Sequence, residues 1–208
     1  MKNPIRILLA DDHPSLRAGL AAILNSQPDL KVIAEAGSGR EVMASEEKAD
    51  LYILDLRMPD GDGIQTIKEL VARDPSTRVL VLTTYDNEED IFQALEAGAR
   101  GYLLKDTTKE ELIAALRKIH SGERYLPQGI AARLADRLVR PTLTPRELDV
   151  LRLMARGRTN KEMASAMFIS EETVKTHLKS LFQKLGVHDR TEAVAVSLQR
   201  GLIRLETP

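Results

Sequence analysis

The strongest constraint on the fold is a set of short apolar runs that each stop on a reactive side chain. Leu51-Tyr52-Ile53-Leu54 stops on Asp55, and Ile7-Leu8-Leu9-Ala10 on Asp11 and Asp12. Val79-Leu80-Val81-Leu82 stops on Thr83, and Gly101-Tyr102-Leu103-Leu104 on Lys105. Such runs, separated by helical patterns, mark strands buried on both faces of a parallel sheet. In that architecture the carboxyl ends of the strands gather along one edge. The edge then holds three carboxylates, a hydroxyl and an ammonium. Clustered carboxylates repel unless protonated or bridged by a cation, which calls for a hard divalent metal, best matched by Mg²⁺. Asp55 becomes a carboxylate that can be phosphorylated, with the metal and Lys105 neutralising the incoming phosphoryl oxygens.

The alternation continues through the first 120 residues. Strands are expected at Ile5–Ala10, Leu30–Ala36, Leu51–Leu54, residues 79–82 and Gly101–Leu104, and helices at Pro14–Asn25, 40–45, 64–72, 88–97 and 108–120. The first helix shows Leu16, Leu20, Ile23 and Leu24 on one face, the 3.6-residue period of a packed helix. Pro59-Asp60-Gly61-Asp62-Gly63 reads as a turn cluster. Five strands and five helices in strict alternation predict an α/β doubly wound five-stranded parallel sheet over residues 1–120. Residues 121–142, with Gly122, Pro127, Gly129 and Pro141, form the linker, and a short helix fits at 130–139 within it.

The back half, 143–208, has no strand pattern and strong helix punctuation. Thr144-Pro145-Arg146-Glu147 is a complete N-terminal signature: an N-cap, a proline at the first helical position and an acidic residue that closes a capping box. Thr159 with Glu162 repeats the box, and Ser170 caps a helix that stops at Gly186. A fourth helix is expected at 191–199. The short connection Phe168-Ile169-Ser170 has the proportions of a helix-turn-helix, so the region is read as an all-α four-helix domain.

Net charge separates the halves. Residues 1–120 carry 15 Lys+Arg against 21 Asp+Glu, whereas residues 121–208 carry 15 against 10. A basic back half suits a polyanion, of which nucleic acid is the usual one. On the helix after the turn, Val174, Leu178, Leu181 and Leu185 form one stripe. Thr176, Lys179, Ser180 and Gln183 lie opposite, with Lys175 at the flank, the layout of a recognition helix. Cysteine is absent, which excludes disulfides, thiol chemistry and Cys-based metal sites. No apolar run approaches membrane-spanning length and the start lacks a signal-peptide core, so a cytoplasmic, membrane-free protein is expected. The four histidines show no metal-ligand spacing.

Residues 5–120 resemble the receiver domain of bacterial two-component response regulators. The resemblance rests on Asp-Asp-His at 11–13, Leu-Asp-Leu-Arg-Met-Pro-Asp-Gly-Asp-Gly at 54–63, Thr83, and Gly-Tyr-Leu-Leu-Lys at 101–105. It implies that Asp55 accepts a phosphoryl group from a sensor histidine kinase. It also implies that Asp11, Asp12, Asp55 and the backbone carbonyl of Arg57 hold Mg²⁺. Thr83 and Lys105 would engage phosphoryl oxygens, and Tyr102 would be the switch aromatic whose rotamer follows Thr83. Many receivers place proline after the lysine; here Asp106 follows, so no cis peptide is expected there.

Residues 143–203 resemble the LuxR-type DNA-binding domain through Leu-Thr-Pro-Arg-Glu at 143–147, Asn-Lys-Glu-Met-Ala at 160–164 and Thr-Val-Lys-Thr-His at 173–177. The resemblance implies that Lys175, Thr176 and Lys179 face the major groove of double-stranded promoter DNA. It further implies dimerisation through the fourth helix, where Ala193, Val194 and Val196 serve as contact or core. The combination is identified as a NarL/FixJ-type regulator, a homodimer when phosphorylated, with RNA polymerase as a candidate partner. Two rivals are weaker. A haloacid dehalogenase-type phosphatase needs an acid two residues after its nucleophile, where this chain has Arg57, so no enzyme is expected. A degenerate, unphosphorylated receiver is opposed by the intact Asp11, Asp12, Asp55, Thr83 and Lys105 set.

Overall fold

The computed structural model describes residues 3–59 and 61–203. Asp60 of the turn cluster, and residues 204–208 of the expected second domain, lie outside the described residues. The chain divides into two compact units, with the main division between Arg133 and Leu134.

The first unit runs β1 (Ile5–Ala10), α1 (Pro14–Asn25), β2 (Leu30–Ala36), α2 (Gly39–Ala44), β3 (Leu51–Leu54), β4 (Arg57–Met58), β5 (Gly61–Asp62), α3 (Gly63–Arg73), β6 (Val79–Thr83), α4 (Glu88–Glu96), β7 (Gly101–Leu104) and α5 (Lys109–His120). Five strands make one parallel sheet in the order β2-β1-β3-β6-β7. Alternate strand residues Ile7, Leu9, Leu51, Ile53, Leu80 and Leu103 pack with Leu24 of α1 and with Leu112, Leu116 and Ile119 of α5. Helices α2, α3 and α4 bury Val42, Ile64, Ile67, Leu70, Ile91 and Ala94. Each of the Val, Leu and Ile side chains is worth roughly 1.5–3 kcal/mol on burial.

The strand order reverses at β1, which pairs with β2 on one side and β3 on the other. This is the switch point where doubly wound sheets open a crevice. Ala10 pairs with Leu54, so Asp11 and Asp55 emerge side by side into that crevice.

Two features depart from the sequence reading. The turn cluster is flanked by a two-residue antiparallel ladder, β4 with β5, which pairs Arg57 with Asp62 and Met58 with Gly61. Gly63 then starts α3 against the end of β3. A Cβ there would sit 2.5 Å from the Asp55 carbonyl oxygen, which only glycine avoids. The expected linker also begins later than residue 121. Tyr125 bridges in parallel to Gly101, accepts from the Tyr102 amide at 3.2 Å and packs on the core. A buried edge and a partly buried aromatic hold this stretch to the first unit. Helix α6 (Gln128–Val139) then occupies most of the remainder, starting two residues before the expected 130.

The second unit is α7 (Pro145–Ala155), α8 (Asn160–Met167), α9 (Glu171–Leu185) and α10 (Arg190–Gln199). Both capping boxes form, and Ser170 accepts from the Thr173 amide at 3.1 Å. Gly186 closes α9 in the left-handed region, φ 73°. Val150, Leu151 and Met154 of α7, Met163 of α8, and Val174, Leu181 and Leu185 of α9 form the core. On α10, Ala193 is fully buried while Val194 and Val196 are half-buried against the same core. Ala193 is therefore a core residue rather than a contact residue. Among the described residues, no helix is long and apolar enough to cross a membrane.

Candidate functional site

The carboxyl edge of the sheet brings the expected residues together. Asp11 and Asp55 are buried, 2% and 4% exposed, and each is fixed by main-chain bonds: the Asp11 amide to Ala36 and the Asp55 amide to Ala10. The Lys105 ammonium lies 2.7 Å from Asp11 Oδ2 and 2.6 Å from Asp55 Oδ2. Its own amide donates to the Thr83 carbonyl at 2.8 Å, which aligns the ends of β6 and β7. Burial opposes the charge on Lys105, but hydrogen bonds to Asp11 and Asp55 outweigh it and hold the pKa above lysine's ordinary value. The Asp55 Oδ1 atom accepts from the Arg57 amide at 3.2 Å, and Asp11 Oδ1 from the His13 amide at 2.9 Å.

Asp12 is only partly buried, yet its Oδ1 is enclosed without a hydrogen-bond donor, although His13 Nδ1 is 2.7 Å away. One ligand atom from each of Asp11, Asp12, His13 and Asp55 falls within 4.8 Å of the others. Three carboxylates, one with an unsatisfied oxygen, suit a hard divalent cation that prefers oxygen ligands. His13 has no metal-ligand spacing to the other histidines along the chain. Its only sequence signal was adjacency to Asp11-Asp12.

Thr83 and Tyr102 are both fully buried. The Tyr102 hydroxyl donates to the Tyr85 carbonyl at 2.7 Å, and burial pushes its phenol pKa well above the ordinary value. Neither Tyr85 nor Asp90 carries a motif or spacing signal in the sequence. The Arg57 guanidinium lies 4.6 Å from the Tyr85 ring centroid and 2.8 Å from Asp90 Oδ2. Arg57 was expected to contribute only its carbonyl. Its side chain also joins the loop after β3 to α4. The Lys105–Asp106 peptide is trans, as expected without proline.

In the second unit α9 buries Val174, Leu181 and Leu185 and leaves Lys175, Thr176, Lys179 and Gln183 exposed. Lys175 pairs with Glu172 at 3.1 Å, and the Thr176 hydroxyl donates to the Glu172 carbonyl at 3.0 Å. Ser180 departs from the expected face. Its hydroxyl donates to Glu147 Oε1 of α7 at 2.7 Å, so it is turned towards the protein. The reason is Glu147, which is 3% exposed and collects Ser180, Lys184 at 2.7 Å and the Thr144 amide at 2.7 Å. Burial raises the Glu147 pKa, but Lys184, Ser180 and Thr144 outweigh it and bring it to about 2. The sequence marked Glu147 as a capping residue only.

A phosphoacceptor-type α/β unit joined to a helix-turn-helix unit defines a signal-controlled DNA-binding protein. The profile of the response regulator receiver domain matches residues 7–117, and that of the bacterial regulatory proteins of the luxR family matches residues 141–197. The transcriptional regulatory protein YxjL of Bacillus subtilis (strain 168) is 40% identical, across 98% of this chain and 99% of its own length. The response regulator protein VraR of Staphylococcus aureus is 36% identical across 96% and 99%. Among solved structures, RcsB from Salmonella enterica serovar Typhimurium, bound to promoter P1flhDC in the presence of phosphomimetic BeF3-, aligns with a TM-score of 0.74. It is 28% identical, covering 96% of this chain and all of that one. The chain belongs to the response regulators that couple a receiver domain to a LuxR-type helix-turn-helix. It is a DNA-binding transcriptional regulator of a two-component system.

Proposed function

We propose that Asp55 accepts a phosphoryl group from a sensor histidine kinase and that this modification controls promoter binding through α9. The observation that carries the reading is Lys105, whose single ammonium reaches both Asp11 and Asp55. An ammonium held there can pass to a phosphoryl oxygen without moving far. Phosphoryl transfer needs in-line positioning and charge neutralisation more than covalent machinery. The Asp55 carboxylate oxygen forms the new bond to phosphorus, and the bond from phosphorus to the kinase's histidine nitrogen breaks. The leaving nitrogen keeps that electron pair.

Asp11, Asp12, Asp55 and the Arg57 carbonyl would hold Mg²⁺. When bound, the ion neutralises charge on the phosphoryl oxygens. Lys105 pairs with one of these oxygens, and the Thr83 hydroxyl donates to another. Tyr102 then exchanges its bond to the Tyr85 carbonyl for a new rotamer. No general acid stands where Arg57 follows the acceptor, so the chain acts as a regulator and not as a hydrolase. In this reading the receiver extends past residue 120 through the Tyr125 bridge, a linker follows, and the DNA-binding domain spans 143–208. Lys175, Thr176, Lys179 and Gln183 meet promoter DNA, with Ser180 withdrawn from that set. The phosphorylated chain forms a homodimer in the cytoplasm, with RNA polymerase as a further partner.

The test is incubation with acetyl phosphate and Mg²⁺ followed by intact-mass measurement. The native chain should gain one phosphoryl group and Asp55→Asn none. An equal gain in Asp55→Asn would place the acceptor elsewhere.

A further inference from the structure

Asp90 lies in the first turn of α4 and its side chain is only 2% exposed. Aspartate is almost never buried to that degree unless paired. Its partner Arg57 is thirty-three positions away, in the loop that follows Asp55. The pairing is one-armed. Arg57 Nη2 takes Asp90 at 2.8 Å, the guanidinium lies over the Tyr85 ring, and Nε is buried without an acceptor. Strong structural arginine pairs are usually bidentate. A desolvated Nε–H subtracts from the pair's net worth and regains a partner only if the guanidinium moves.

Tyr85 joins this pair to the acceptor site. Its carbonyl accepts from Tyr102, and its amide reaches Thr83 Oγ1 at 3.5 Å, the limit of a hydrogen bond. Tyr85 is therefore held by Tyr102 and Thr83 through its main chain and by Arg57 through its ring. We propose that the Arg57–Asp90 ion pair, capped by Tyr85, is a latch that ties the acceptor loop to α4 and must open when Asp55 is phosphorylated. The proposal rests on the phosphoacceptor reading above. A phosphoryl group on Asp55 adds negative charge two residues from Arg57 and competes with Asp90 for the guanidinium. It also draws the Thr83 hydroxyl towards a phosphoryl oxygen, and this displacement lengthens the contact with the Tyr85 amide, which at 3.5 Å is already at the limit of a hydrogen bond. Both effects act on the same latch. Coupling of this kind is reciprocal: opening the latch by mutation must favour the arrangement that phosphorylation favours.

The test is amide hydrogen exchange over residues 91–96 of the full chain, with and without acetyl phosphate and Mg²⁺. Intact mass is read on the same samples. Arg57→Met with Asp90→Leu removes both charges together, which avoids leaving one buried and unpaired. Without phosphodonor this double variant should exchange roughly tenfold faster than the native chain, the ratio for one 1.4 kcal/mol change. Phosphorylation should bring the native chain to the same rate and add nothing in the variant. Native-like exchange in the double variant overturns the latch. So does an unchanged rate in a fully phosphorylated native chain. If the double variant does not fold, Asp90→Asn serves: a smaller acceleration at the same amides supports the latch, and none overturns it. If the native chain takes up no phosphoryl group, the Asp55 reading fails. The comparison of unphosphorylated chains then still decides whether the pair holds α4.

Discussion

Asp11 and Asp55, at the ends of the adjacent strands β1 and β3, share one counter-ion: Lys105 lies 2.7 Å from the first and 2.6 Å from the second. Two buried carboxylates side by side repel, and the shared ammonium offsets that repulsion. Lys105→Met removes the charge and leaves both carboxylates buried. Taking one partner from a buried ion pair costs about 3–5 kcal/mol. In metal-free buffer the variant should melt well below the native chain, and added Mg²⁺ should recover more stability in the variant than in the native protein. A melting temperature equal to the native one would show that the shared ion pair does not hold this edge together.

Glu147 makes the second unit sensitive to acid. Its folded pKa, about 2, lies below the ordinary glutamate value of 4.5, so the carboxylate is the form the fold favours. The stability it contributes is present above pH 4.5 and is lost as pH falls from 4.5 towards 2. At 1.36 kcal/mol per pKa unit the contribution is about 3 kcal/mol at neutral pH. Glu147→Gln should lose about that much in urea unfolding at pH 7. The gap to the native chain should close as pH drops below 4.5. A gap that stays constant from pH 7 to pH 3 would mean that the charge on Glu147 is not what matters.

Gly63 allows α3 to start against the end of β3. Alanine would place its Cβ 2.5 Å from the Asp55 carbonyl and 2.7 Å from the Leu56 Cα, both backbone atoms. Backbone cannot yield as a flexible side chain does, so overpacking of about 1–3 kcal/mol is expected. Gly63→Ala should slow phosphoryl uptake from acetyl phosphate as well as lower stability. Uptake at the native rate would show that the acceptor loop absorbs the methyl group without displacing Asp55.

The carboxyl-edge cluster was legible because parallel strands leave no choice about where their ends point. Asp11, Asp12, Asp55, Thr83 and Lys105 each follow an apolar run, and topology alone brings them together. The caps at Thr144 and Thr159 were legible because capping is local in sequence. What the sequence concealed depends on contacts across long separations. Arg57 with Asp90 spans 33 positions and Ser180 with Glu147 spans 33 as well. Neither pair leaves a periodic or spacing signal. Tyr125 was hidden for another reason: Gly122 and Pro127 flank it and read as a linker, whereas its fit beside Gly101 is decided by tertiary packing.

The division of α9 into a protein-facing and a solvent-facing side makes a contrast between neighbours. Lys179 is exposed, and Ser180, one residue on, is committed to Glu147. If α9 enters the major groove, Lys179→Ala should weaken binding to a selected operator by roughly 1–3 kcal/mol more than binding to random duplex, the value of one base-edge contact. A lysine that touches only phosphate would weaken both duplexes alike and flatten the salt dependence by about one unit of slope. Ser180→Ala removes one bond to Glu147 and should lower stability by about 1 kcal/mol. It should leave the ratio of operator to random binding unchanged. Titration of both duplexes at two salt concentrations separates these effects. If Ser180→Ala lost specificity and Lys179→Ala did not, the groove-facing side of α9 would have to be reassigned to the flank that carries Ser180.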